Sequence, residues 1–150
     1  MFLALQLSIS HVSACGFHSS FEVGANIPRG ATWLVIRSYS AVQEGRVPAT
    51  DKLEGDAGFR RASWWLNLFT RELQKHGVKE SYIYLADVGL WAKYQHHAPK
   101  RLQLELAPKQ QDYNVVVLTS ETLSALVSDE ITLSRALEFG IISLSESVVG

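Results

Sequence analysis

The chain has a single cysteine in 150 residues, Cys15, and almost no net charge, with 14 Lys and Arg set against 15 Asp and Glu. One thiol excludes an internal disulfide and a four-cysteine zinc site. A net charge of −1 argues against non-specific nucleic-acid capture, which needs a basic surface to displace counterions. No apolar run reaches the roughly 20 residues that a spanning helix takes. The nucleophile elbow G-x-S-x-G, the P-loop, the dinucleotide glycine fingerprint and H-E-x-x-H are all missing. Serines are plentiful, yet none sits in a recognisable nucleophile turn. No catalytic residue and no cofactor are assigned on these grounds.

What is present is a folded composition, 47% hydrophobic and 19% charged, enough for one domain with a real core. The first twelve residues are apolar and almost uncharged, and no Lys or Arg precedes them. They lead into Val12-Ser13-Ala14-Cys15. Small residues beside a greasy run suit the pocket of a signal peptidase. The order Val-Ser-Ala-Cys also resembles a bacterial lipobox, in which the cysteine becomes the first mature residue and carries acyl chains. The expectation is a signal peptide over 1–14, a lipidated Cys15, a linker over 15–30 and a domain over 31–150. Such a protein would be exported and periplasmic or outer-membrane-anchored. The competing possibility is that the first residues form a buried strand or helix of the domain itself.

Helical spacing predicts a first helix over 31–44, with Val35, Ile36, Tyr39 and Val42 on one side and Gly45 as the stop. A loop follows over 46–58. The strongest helix runs from about 57 to 76. Phe59, Ala62, Leu66, Phe69 and Leu73 form its stripe, and Gly77 ends it. Trp64 and Leu68 point the other way, among Arg61, Arg71 and Lys75. The period then changes to two, and 82–86, 90–95 and the alternation of Leu102, Leu104 and Leu106 read as strands. Asp87-Val88-Gly89 is a turn. The continuous apolar run over 114–118 is a central strand. Thr119 or Ser120 caps a short helix through Val127, Thr132 caps another through Phe139, and 141–144 is a last strand. The fold class is α+β, a mainly antiparallel sheet of about five strands with two longer N-terminal and two short C-terminal helices.

The segment 112–145 resembles the closing portion of sterol-carrier-protein-2-like (SCP2-like) domains. The matching pieces are Val115-Val116-Val117-Leu118, Leu123-Ser124-Ala125-Leu126, Asp129-Glu130, Ala136, Gly140 and Ile141-Ile142. Where that family usually has Gly at the turn between the short helices, this chain has Ser128. The resemblance implies a fold able to hold an acyl chain or sterol between sheet and helices. The expected function is therefore a non-catalytic binding protein for an apolar small molecule or lipid. Its lining would be drawn from Trp64, Trp65, Leu68, Tyr84, Leu90 and Trp91, since Tyr and Trp combine apolar area with a polar handle. The alternative is an interaction or accessory protein with a filled core and a protein partner. A metal or enzyme site using Cys15, His18, His96 and His97 is the weakest option, because adjacent histidines on a strand diverge.

Overall fold

A computed structural model describes residues 27–109 and 113–144. The signal-peptide segment, Cys15, His18 and the linker up to residue 26 lie outside the described residues. Those described form helices α1 (Ala31–Gln43) and α2 (Gly55–Lys75), then strands β1 (Glu80–Leu85), β2 (Leu90–Gln95), β3 (Leu102–Leu104) and β4 (Val115–Leu118). Helices α3 (Ser120–Val127) and α4 (Leu133–Glu138) follow, and β5 (Ile142–Leu144) closes the order. The class is α+β with one five-stranded sheet, ordered β3-β2-β1-β4-β5.

Three of the four strand pairings are antiparallel, and the fourth, β1 with β4, is parallel, so the sheet is mixed. Parallel neighbours need a crossover. Here the crossover is the β3–β4 connection, whose ends Ala107 and Tyr113 pack on the sheet face away from the main core. The sheet is mainly antiparallel, as the sequence pattern leads one to expect; the one parallel pairing is not readable from period-two alternation, which reports faces and not which strands pair.

Alternation along each strand sends Ile83, Leu85, Leu90, Ala92, Tyr94, Val116, Leu118 and Ile142 to one face. There they meet Ala62, Trp65, Leu66, Phe69 and Leu73 of α2 and Leu123 and Leu126 of α3 in the main core. The stripe expected for α2 is the buried one, apart from Phe59, which packs against the core half-buried. The loop before α2 is anchored by buried Val47 and Leu53.

Helix α1 departs from its expected orientation. It buries Ala31, Leu34, Ser38 and Ala41, while Ile36 and Tyr39 stand in solvent and Val35 and Val42 lie half-buried. The physical reason is size: three small side chains let the helix backbone approach β4 and α3 closely, which larger β-branched residues would prevent. Ala31 and Leu34 join the second-face cluster and Ala41 the main core, so α1 bridges the two.

All four helices end alike. The residue after the C-cap donates its N–H to the carbonyl three positions back, and the next residue donates to the carbonyl five positions back. This Schellman arrangement requires a left-handed residue. Gly45, Gly77 and Gly140 supply it for α1, α2 and α4, and Asp129 (φ 57) supplies it for α3. Ser128 is the ordinary C-cap of α3, and Asp129 is the left-handed residue that follows it.

Candidate functional site

On the second face the register aligns two rows across three strands. Trp91, Tyr84 and Val117 form one row, and Lys93, Tyr82 and Val115 the next. Tyr84 and Trp91 are directly opposed in the antiparallel ladder, with ring centroids 4.6 Å apart and planes tilted by 40°. Tyr82 meets Trp91 edge-on at 6.2 Å. Tyr113, arriving from the crossover, stands T-shaped to both Tyr82 (5.7 Å) and Trp91 (5.9 Å). Edge-to-face contacts at these distances are favourable through the ring quadrupoles, by about 0.5–1.5 kcal/mol each.

The first row is buried beneath Ala31 and Leu34 of α1. The second row remains half-open: Tyr82, Tyr113, Val115 and Lys93 are all partly accessible. The result is an aromatic floor with a polar rim. At that rim the Lys93 ammonium lies 5.5 Å from the Tyr82 ring centroid and 2.8 Å from the Glu80 carboxylate. The hydrogen bond between Lys93 and Glu80 raises the ammonium above its usual range and holds the carboxyl below its own. Burial pushes the Tyr84 phenol up, and the nearby Asp87 charge adds to it. An aromatic floor with a Lys93–Glu80 ion pair at its rim suits an apolar body with a small polar end.

The six residues expected to line a site fall in three places. Tyr84 and Trp91 belong to this aromatic floor. Trp65 and Leu90 are buried in the main core on the opposite face. Trp64 is exposed and Leu68 half-buried on the outward side of α2. Tyr82 and Tyr113 were not among the six. Tyr82 was recoverable, because it lies two residues from Tyr84 and so shares its face. Tyr113 was not, because it sits outside the regular strand and only the crossover brings it to Trp91.

Two other polar clusters have structural work. Asp87, in the β1–β2 turn, accepts from the Ser120 backbone N–H at 3.0 Å and from its hydroxyl, fastening the hairpin to the start of α3. The residue keeps an exposed surface, but its carboxylate end is crowded, and this burial raises its pKa against the pull of the Ser120 bonds. Thr119 caps the same helix by accepting from the Thr122 N–H. His96 and His97 follow the end of β2 in a turn, where their ring centroids lie 4.5 Å apart with planes tilted by 59°, and the His96 Nδ1 is 3.5 Å from the Tyr94 hydroxyl. Among the described residues, no three of His, Cys, Asp and Glu gather where a metal could be held. No helix among them is long and apolar enough to cross a membrane. No family model, curated protein or solved structure matches the chain.

Proposed function

We propose that this is a non-catalytic binding domain for an apolar small molecule or lipid, of SCP2-like type. The protein is exported and anchored through an acylated Cys15. The observation that carries the reading is the half-open aromatic floor of Tyr82, Tyr84, Trp91 and Tyr113. Such a surface gains about 25 cal/mol for each Å² of apolar area that a ligand covers. The order β4, α3, α4, β5, with Gly140 before the last strand, supports the SCP2-like part of the reading. The Lys93–Glu80 ion pair at the rim suits an amphiphile with a polar end.

The test is short-range quenching by a brominated fatty acid in a chain whose sole tryptophan is Trp91, with Trp33, Trp64 and Trp65 changed to Phe. Saturable quenching is expected. Removing the half-buried ring with Tyr113→Ala should weaken it by about 2 kcal/mol, or roughly 30-fold in dissociation constant. Unquenched Trp91, together with a bare polypeptide mass in native mass spectrometry of protein from its host, would overturn the reading. An acyl adduct on Cys15 in the same spectrum tests the anchor separately. A second reading, an interaction protein, is favoured by the exposed Trp33 and Tyr39 on α1.

A further inference from the structure

We infer that the outer face of α1 is a homodimer interface, in which two copies of the helix pack antiparallel about a two-fold axis at Ile36. Trp33, Ile36 and Tyr39 are 69%, 48% and 66% exposed, on a helix whose other side already packs against the fold. Large aromatic side chains held at this exposure on one helix face mark an association site.

The occupant follows from the spacing. Trp33 and Tyr39 are each three residues from Ile36, on either side of it along the helix. Residues three apart share a helix face. An antiparallel isologous pair brings residue 36−k of one copy level with residue 36+k of the other. Trp33 of each copy therefore comes level with Tyr39 of the other, beside a central pair of Ile36 side chains. Aromatic anchors around a desolvated centre are what concentrate binding energy in an interface. Seven residues out, Arg29 comes level with Gln43 and next to Glu44, which is already paired with Arg46 of its own copy.

Charge favours a second copy on this face. An isologous contact sets a residue against its own image only near the axis, where a charge would meet its like, and the face from Trp33 to Tyr39 has one charged residue, Arg37. That side chain runs back against Gly140 at the end of α4 and away from the central pair. The face is neutral where a two-fold contact needs it to be.

The area suffices. Trp and Tyr bury about 150–250 Å² each when fully covered. At two-thirds exposure, Trp33 and Tyr39 offer roughly 100–170 Å² apiece on that scale. With Ile36, the exposed Ile27 and a rim of Thr32 and Gln43, two copies reach on the order of 1,000 Å², the lower bound for a specific interface.

Sedimentation equilibrium of the purified protein over a concentration series tests the proposal. Wild type is expected to dimerise. Ile36→Lys, which places two ammonium groups at the axis, should raise the dimer dissociation constant by about 30-fold or more. Because Ile36 is half-exposed, circular dichroism should be unchanged, as should melting at a dilution where both proteins are monomeric. A second measurement uses Cys15→Ser protein: Ile36→Cys should oxidise to a cross-linked dimer, and Trp64→Cys, on α2, should not. A wild-type monomer throughout overturns the proposal, as does a dimer that survives Ile36→Lys. So does a monomer that sediments with anionic vesicles through these same residues, which would assign the face to a lipid surface.

Discussion

Asp129→Gly should make the protein more stable, and the reason can be worked from the four helix ends. Each end places one residue in the left-handed region, and only α3 uses a residue with a side chain there. A left-handed conformation costs an L-residue roughly 1–2 kcal/mol, less for Asp and Asn, whose short polar side chains tolerate it. Glycine removes that cost but loses about 0.5–1 kcal/mol through the freedom it gains in the unfolded chain. The carboxylate also stands just past the C-terminus of α3, where negative charge opposes the helix dipole by about 0.3–1 kcal/mol. Its attraction for the exposed Lys75 works the other way. The net gain is about 0.5–1 kcal/mol for Gly, and Asp129→Asn, which removes only the charge, should give a few tenths.

The reciprocal change, Gly77→Ala, should cost about 1–2 kcal/mol. Nothing lies within 4 Å of the Cβ it would add, so the cost is conformational alone. Urea unfolding reads all three, and thermal midpoints should move by roughly 2–4 °C per kcal/mol in a domain of this size. Destabilisation by Asp129→Gly, or indifference to Gly77→Ala, would refute the reasoning, because neither outcome is compatible with left-handed helix ends.

Three further outcomes follow from named contacts. Ser38→Ala should raise the urea midpoint by about 1 kcal/mol equivalent, since the Ser38 hydroxyl is buried and has no hydrogen-bond partner among the described residues; a lower midpoint would mean the hydroxyl is satisfied in solution. Gly58→Ala should destabilise, although alanine is the better helix former by about 1 kcal/mol, because the new Cβ would lie 2.5 Å from the Leu53 carbonyl carbon and 2.8 Å from its Cα; the sign of the change in midpoint decides whether crowding or propensity wins. For Asp87, burial lifts the folded carboxyl above its ordinary 3.8, so folding takes up protons between that value and the raised one. Wild-type stability, measured relative to Asp87→Asn, should therefore fall as pH rises through that window, and a difference that grows with pH would contradict the buried carboxylate.

The sequence was most legible where a local signal and a tertiary role coincide. The buried stripe of α2 and its stop at Gly77, the hairpin turn at 87–89 and the Thr119 and Thr132 caps were all readable, because each depends on neighbours within one or two turns of chain. α1 failed for a specific reason. Hydrophobicity marked Val35, Ile36, Tyr39 and Val42 as the inward side, while the contact with β4 and α3 selects for smallness, which Ala31, Ser38 and Ala41 provide. Ile36 and Tyr39, which hydrophobicity marks as inward, are then left exposed beside Trp33, and the same error that hid the core face drew attention away from the outer one.

The candidate site was half legible for a related reason. Tyr84 and Trp91 could be nominated as residues, but their meeting with each other depends on hairpin register, and their meeting with Tyr113 depends on the parallel β1–β4 pairing. No local pattern encodes that pairing. β4 lies parallel beside β1 with Val116 and Leu118 in the main core, and the crossover that a parallel pair needs sets Tyr113 over the second face. The aromatic floor is thus a consequence of topology acting on side chains that strand alternation had already sorted. Changing the crossover, with the strands untouched, should alter the rim formed by Tyr113 and leave the Tyr84–Trp91 pair in place.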